Sequence, residues 1–181
     1  MRVESSRSLI THHSSSFVSR TDAGWVAMAF TDSGLSALSL PVKTRDQAER
    51  SFAAKGMAVA NVETFEQISR FADDLKRYFL GERVAFELEL DLSDVTEWQR
   101  RVLLKAAEIP YGELMTYGEL AAAIGSPGGA RAIGQAMARN PVPIIVPCHR
   151  VVAASGKLGG FSAGLDWKRR LLRLEGIDLG F

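Results

Sequence analysis

Asn140-Pro141-Val142-Pro143-Ile144-Ile145-Val146-Pro147-Cys148-His149-Arg150-Val151-Val152 is the stretch around which the chain organises itself. Prolines at 141, 143 and 147 lack a backbone donor and fix φ, so neither a helix interior nor a central strand fits here. The apolar Val142, Ile144, Ile145 and Val146 argue for burial. The expectation is a stiff, extended, buried connector that delivers Cys148, His149 and Arg150 at its end. A cysteine is a nucleophile only as thiolate. His149 can take its proton directly or through a water, and Glu175 can orient the imidazole, an arrangement of nucleophile, base and orienting group. Adjacent side chains diverge, so the pair needs a tight turn or a bridging water. A plainer reading stays open: a buried apolar cysteine beside a hydrogen-bonded histidine, with Glu175 in a surface ion pair with nearby arginines.

Downstream, Gly156, Gly159, Gly160 and Gly164 flank Phe161-Ser162, which suggests a mobile or close-approach loop near the cysteine. A last helix carries Trp167, Leu171, Leu172 and Leu174, decorated by Lys168, Arg169, Arg170 and Arg173, with Gly176 behind it. Upstream, Thr96 and Gln99 form a capping box for a helix with Trp98, Val102, Leu103 and Ala106 on one face. Pro110-Tyr111-Gly112 stops it. Thr116 and Glu119 form a second box for a short helix through Ile124. Gly125-Ser126-Pro127-Gly128-Gly129 breaks that helix, and Ser126 as cap with Pro127 at the first turn opens another running to about Arg139. Helix, short glycine-containing break, helix is the layout of a helix-turn-helix.

The N-terminal half reads as mixed α/β. Trp25 to Phe30 is an apolar run, Thr31-Asp32-Ser33-Gly34 is turn chemistry, and Leu35, Ala37, Leu38 and Leu40 follow, so a hairpin is expected. Lys43 to Arg50 suits a solvated helix. Thr64 and Gln67 form a capping box for a helix with Phe65, Ile68, Phe71, Leu75, Tyr78 and Phe79 at helical spacing, closed by Gly81. Val84, Phe86, Leu88 and Leu90 alternate with Ala85, Glu87 and Glu89, the pattern of a strand with one wet face.

With 46% hydrophobic and 24% charged residues among 181, the chain belongs with ordinary globular proteins rather than disordered or collagenous ones. No apolar run reaches the roughly 18–20 residues of a spanning helix, so no membrane partner is expected. The single cysteine forbids an intrachain disulfide or a multi-thiolate metal site, and a reducing compartment is its natural setting. Residues 1–23 lack the apolar centre of a secretory signal, Glu4 and Asp22 argue against a transit peptide, and a frayed tail is expected. The net charge of +1 conceals −2 over residues 1–92 and +3 over 93–181. Leu120 to Leu165 contains no acid, while Arg131, Arg139, Arg150 and Lys157 lie within it, a weak positive field suited to a polyanion.

The run from Asn140 to Val152 closely resembles the active-site signature of the O6-alkylguanine-DNA alkyltransferases, the methylated-DNA–protein-cysteine methyltransferases. The resemblance extends through Thr116-Tyr117-Gly118, Ala130-Arg131-Ala132-Ile133-Gly134, Gly160-Phe161-Ser162-Ala163-Gly164 and Leu174-Glu175-Gly176. It covers residues 84–176, with a looser match at Tyr78-Phe79-Leu80-Gly81. It implies that Cys148 accepts the alkyl group from guanine O6, that His149 helps form the thiolate through water, and that Glu175 orients His149. Asn140 is implied to tie the recognition helix to the cysteine turn. Tyr117 stands at the pocket mouth, assists rotation of the nucleotide and donates to the leaving guanine. Arg131 is implied to fill the base stack after extrusion. Met137 and Val151 line the guanine pocket, and the loop of Phe161, Ser162 and Ala163 closes over the base. The helix is implied to enter the minor groove, with Ala130, Ala132, Gly134 and Ala136 as the small residues that permit close approach and Gln135 among the DNA-binding positions. Gln135, Phe161 and Ala163 depart from residues found in some relatives, which leaves groove contact and the range of alkyl groups open.

The physics of the lesion agrees with that picture. An alkyl group on O6 lies inside the duplex, and a poorly paired guanine is cheaper to turn out than a sound one. The expected partner is double-stranded DNA containing O6-alkylguanine, bound mainly through the minor groove by a monomer that acts once, without metal or other cofactor, in the cytoplasm or, in a eukaryote, the nucleus. Competing readings are a non-catalytic sensor of alkylated DNA and a Cys–His hydrolase. The expected fold is α/β. Residues 1–92 would form an N-terminal small-sheet domain, which the resemblance makes ribonuclease-H-like. Residues 93–181 would form a mainly helical C-terminal domain with the helix-turn-helix and Cys148.

Overall fold

A computed structural model describes residues 15–53, 66–154 and 156–180. The described residues open with an antiparallel sheet of three strands in the order β1 (Ser15–Thr21), β2 (Gly24–Thr31) and β3 (Gly34–Leu38). The expected hairpin is β2–β3, and its turn is the Thr31–Gly34 segment. β1 corrects the expectation of a tail through residue 23: Ser15 to Thr21 pairs in register with β2, Phe17 opposite Met28. Alternating Phe17 and Val18 supply one side chain to each face, a signal too short to stand out among the serines around it.

Every residue from Val26 to Phe30 is buried, because both faces of β2 are covered. Val26, Met28 and Phe30 face the main core, whereas Ala27, Ala29 and Ala37 pack against Ala48 and Phe52 of α1 (Arg45–Ala53). The helix foreseen as solvated is thus wet on one side only. Thr44 and Gln47 close a capping box ahead of it, Gln47 N donating to Thr44 Oγ1 and Thr44 N to Gln47 Oε1.

α2 (Glu66–Phe79) buries Phe71, Leu75, Tyr78 and Phe79 in the main core. Each such side chain contributes roughly 1.5–3 kcal/mol of transfer free energy. The capping box at Thr64 lies outside the described residues. Gly81, at φ +87°, ends this helix as foreseen. Residues 84–90 keep the foreseen alternation, with Val84, Phe86, Leu88 and Leu90 half-buried and Ala85, Glu87 and Glu89 exposed. They do not form a strand ladder. The segment meets the outer edge of β3 only at its end, where Leu35 N donates to Glu89 O and Asp91 N to Leu35 O. Further along the same edge, Leu38 N donates to Pro141 O, so the proline connector occupies the place a fourth strand would take.

The C-terminal part is mainly helical: α3 (Glu97–Ala107), α4 (Tyr117–Ala123), α5 (Ala130–Ala138) and α6 (Leu165–Leu174). Val102, Leu103 and Ala106 of α3 are buried, but Trp98 is 36% exposed and does not belong to that face. Thr96 caps Gln99 N. The Gln99 side chain does not complete the box. It reaches the end of α5 instead, its Nε2 donating to Arg139 O at 3.2 Å. Thr116 and Glu119 do form the reciprocal box at α4. The break before α5 differs from expectation: Gly129, not Ser126, precedes the helix without a side-chain cap, while Ser126 O accepts from Gly129 N inside the turn. The main core draws residues from both halves, from Val26 to Leu171.

Gly34 shows how tightly β3 meets the segment that ends at Leu90. At φ +127°, a Cβ there would stand 2.6 Å from the Glu89 carbonyl carbon. Gly128, at φ +82°, faces open space. Gly34→Ala is expected to lower the unfolding free energy by about 3 kcal/mol in denaturant titrations, against about 1 kcal/mol for Gly128→Ala.

Candidate active site

The proline segment is buried as expected but not extended: Asn140 folds it back on itself. Its Nδ2 donates to Val146 O at 2.8 Å, and its Oδ1 accepts from Val142 N at 3.1 Å. Val146 N also donates to Val142 O. Ile144, buried and at φ +78°, occupies the left-handed region that a β-branched residue avoids. Such strain costs on the order of 1–3 kcal/mol and persists only where the surroundings impose it. Here Asn140 and the prolines do so, and the chain emerges into a 3-10 turn at Cys148–Arg150. Val151 and Val152 then pair in parallel, as β5, with Met115 and Thr116, β4. This small ladder fixes the cysteine turn to the start of α4.

Cys148 is 5% exposed and lines a cavity of about 620 Å³. Its walls are Tyr117 from α4, Ala130, Arg131, Gly134, Gln135, Met137 and Ala138 from α5, and Gly160, Phe161 and Ser162 from the glycine loop. The site residues read from the sequence therefore converge, with exceptions. Val151 is buried in its ladder and does not line the cavity. Ala163 is exposed beyond the lining, Ala132 is half-buried on another side of α5, and Ala136 is buried in the main core, where it cannot meet a groove. Tyr117 Oη donates to Gly160 O at 3.1 Å, and a Cβ on Gly159 would stand 2.7 Å from the Tyr117 ring. Glycine at 159 is what lets the loop lie on that ring.

His149 points the other way. It is fully buried, with Nε2 2.7 Å from Glu175 Oε1. Glu175 Oε1 also accepts from Tyr78 Oη at 2.7 Å and Arg150 Nη2 at 3.0 Å; Oε2 accepts from Arg150 Nε at 2.8 Å and Gly112 N at 3.3 Å. Burial pushes the Glu175 carboxyl up, but the hydrogen bonds and charge of His149 and Arg150 outweigh it and hold the group down at about 2. An ionised carboxylate only accepts, so the network assigns the imidazole proton to Nε2. Nδ1 is then the basic nitrogen, and it has no hydrogen-bond partner among the described residues. Burial lowers the affinity of His149 for a second proton. Burial likewise pushes the Cys148 thiol up, while the Asn140 side chain, the Lys168 ammonium and the turn's own N–H groups pull it down. Burial prevails, so the resting group is a thiol whose ionisation needs a base.

Two cations were misread in the sequence. Arg150 is buried on Glu175 and donates to Ile109 O, so it adds nothing to a positive outer surface. Lys168 is fully buried rather than decorating α6. It donates to Val151 O, Leu158 O and Gly160 O, and stands 5.6 Å from the centre of the Tyr117 ring. Burial brings its pKa down to about 8. Its spacing from Leu171 and Leu172 placed it on the apolar face of α6, which was the available signal.

Residues 97–177 match the family model for the 6-O-methylguanine DNA methyltransferase DNA-binding domain. A methylated-DNA–protein-cysteine methyltransferase of Methanosarcina acetivorans is 51% identical over 118 residues, 65% of this chain and 73% of its own length. The chain belongs to the methylated-DNA–protein-cysteine methyltransferase family. The protein of that name from Mycobacterium tuberculosis is 54% identical over 103 residues, and the match spans 57% of this chain and 62% of that relative. The crystal structure of Mycobacterium tuberculosis OGT in complex with DNA superposes with a TM-score of 0.72 at 38% identity, covering 89% of this chain and 92% of that one. The O6-methylguanine-DNA methyltransferase of Pyrococcus kodakaraensis superposes at 0.65 with 26% identity, covering 91% and 99%. The mixed α/β class, with a small N-terminal sheet and a helical C-terminal part, is thus that of the family.

The depressed Glu175 value gives a pH test. A carboxyl lowered by folding stabilises the protein fully above its unfolded value, near 4.5, and loses that contribution as pH falls toward 2. Glu175→Gln is expected to be less stable at neutral pH by on the order of 3 kcal/mol, with the gap to wild type closing across that window in urea titrations at stepped pH.

Proposed function

We propose that this protein repairs DNA by direct reversal, moving the alkyl group of an O6-alkylguanine onto Cys148 in a single irreversible turnover. The observation that carries this reading is the placement of the one cysteine at the base of a cavity whose other wall is α5, with His149 and Glu175 behind it. The family supplies the rest: its members are named for this transfer, and one is solved with DNA.

In the proposed sequence α5 meets the minor groove, where Ala130, Gly134 and Ala138 allow close approach and Arg131 projects from the exposed first turn. The damaged nucleotide turns out into the cavity, and Arg131 fills the stack it leaves. Affinity then comes chiefly from phosphates and deformability, not base sequence. His149 Nδ1 takes the thiol proton through a water, and the imidazolium formed is stabilised by Glu175. The thiolate attacks the alkyl carbon, an S–C bond forms, and the C–O6 bond breaks with its electron pair passing to the guanine. Tyr117 supplies a proton to the leaving base. The thioether has no route back to thiol, so the protein is spent. Residues 93–181 carry this chemistry, the N-terminal unit supports it, and the protein works as a monomer in a reducing compartment, the cytoplasm or nucleus. No helix among the described residues is long and apolar enough to cross a membrane. A sensor that only grips alkylated DNA would need neither the thiol nor the buried pair behind it.

Intact-protein mass spectrometry after incubation with an O6-methylguanine duplex should show one methyl per chain, mapped to Cys148. Cys148→Ala should retain affinity for that duplex and gain no mass; binding by the wild type without mass gain would favour the sensor. Arg131→Ala should slow transfer from duplex DNA by on the order of tenfold, roughly the 1–3 kcal/mol of one lost stacking contact, and leave transfer from free O6-benzylguanine nearly unchanged. Equal losses on both substrates would remove Arg131 from the extrusion step.

A further inference from the structure

Glu175 Oε1 is shared. His149 Nε2 and Tyr78 Oη both lie 2.7 Å from it, and the two residues come from opposite halves of the chain. Tyr78 sits near the end of α2 and is 1% exposed. Its ring is held edge-on by Phe79 and Tyr111, and tilted on Phe86 at 5.9 Å. Packing alone would be served equally by phenylalanine. The hydroxyl adds one thing, a hydrogen bond to the oxygen that receives the imidazole proton. We infer that Tyr78 is a positioning residue for the alkyl transfer proposed above, setting through Glu175 Oε1 both the orientation of His149 and its strength as a base.

The electrostatics give this a sign. A carboxylate oxygen that accepts from several donors has less charge to offer each of them. Removing the Tyr78 donor concentrates charge on the bond to His149 Nε2, which makes the imidazole easier to protonate. A ring already protonated cannot take the thiol proton. The charged and titratable groups facing this pair are Glu175, Arg150, Lys168, Cys148, Tyr78 and Tyr111. Arg150 remains on both carboxylate oxygens in any Tyr78 variant, so Glu175 stays ionised. Tyr111 is the internal comparison, since its hydroxyl donates to Leu174 O at 2.8 Å rather than to the carboxylate.

The test uses the full chain with Tyr78→Phe, Tyr111→Phe and Glu175→Gln. In unreacted protein, NMR of the His149 ring reads the shared oxygen directly. Tyr78→Phe is expected to move the Nε2–H proton downfield and to raise the pH at which the ring titrates; Tyr111→Phe should leave both in place. With free O6-benzylguanine as probe, Tyr78→Phe should carry the acid limb of the rate profile to higher pH through the electrostatics and, because the imidazole is less firmly oriented, slow single-turnover transfer about fivefold near neutral pH, the scale of one net hydrogen bond. In the Glu175→Gln background the same substitution should add nothing. An unchanged His149 signal and rate profile in folded Tyr78→Phe, or a full additional loss in the Gln background, would overturn the proposal. Should the phenylalanine variant not fold, 3-fluorotyrosine at position 78 keeps the ring and strengthens the donor; it should move the Nε2–H proton upfield, and no movement would overturn the proposal as surely. Failure of the wild type to accept benzyl or methyl would refute the transfer reading instead, and the ring signals would still decide the role of Tyr78.

Discussion

Five hydrogen bonds end on the carboxylate of Glu175, and the arrangement of the reactive centre depends on them. A buried carboxylate is tolerated only when its lone pairs are met. Its donors arrive from α2, from the turn after α3, and from the 3-10 turn that carries the cysteine. Meeting that one electrostatic demand therefore gathers three distant pieces of chain. It also fixes the imidazole tautomer, because every donor already on the carboxylate argues that it stays ionised and only accepts. The orientation of His149 and the basicity of its Nδ1 follow from the same contact.

The cysteine turn has two faces with opposite needs. Toward α5 the proposed transfer requires it to be open to a planar base, and there the walls are small residues, a tyrosine ring and a glycine loop. Toward the core it must be rigid, and there it is clamped by Asn140, the β4–β5 ladder and the three carbonyls bound by Lys168. Lys168 serves both faces, since the loop carbonyls it holds are continuous with the wall that Tyr117 rests against. An apolar side chain of equal length in its place would take a donor from all three carbonyls and leave Gly160 O with Tyr117 Oη alone.

What could be read from the sequence was what local chemistry determines. Three prolines exclude a helix and a central strand between 141 and 147, though not the fold-back that Asn140 imposes there, and Thr116 with Glu119 closes a capping box from within four residues. The contacts that escaped are those whose partners lie far along the chain. Nothing near Tyr78 indicates that its hydroxyl meets a carboxylate 97 residues away. Arg150 read as part of a positive surface because an acid-free stretch says nothing of direction; the acid that engages it lies beyond the end of that stretch. The alternation in residues 84–90 gave the correct face but not a strand, since a ladder needs a free edge and the edge of β3 is already taken near its far end by Pro141. The residues that the resemblance in the motif names as acceptor, pocket mouth and pocket wall, Cys148, Tyr117 and Met137, line one cavity. The resemblance overreached at Val151, whose carbonyl serves Lys168 while its side chain is consumed by packing.

Burial of the thiol bears on how such a site works. In a turnover enzyme, a nucleophile held as thiol by desolvation would forfeit rate at every cycle. A protein that reacts once has a different requirement: each adventitious alkylation or oxidation removes a molecule from use. Susceptibility to both follows thiolate character and exposure. A cysteine 5% exposed, with its ionisation suppressed, is shielded on both counts. The groups that favour the thiolate, Asn140, Lys168 and the turn's N–H donors, are fixed in place beforehand, so they reorganise little when charge appears. On the proposed mechanism, what is withheld at rest is the removal of the proton, which falls to His149. Entry of a flat base between Tyr117 and α5 would exclude solvent from the cavity and strengthen each of those interactions at the moment the alkyl carbon is presented. Reactivity is thereby tied to occupancy of the cavity rather than to the chemistry of the thiol alone.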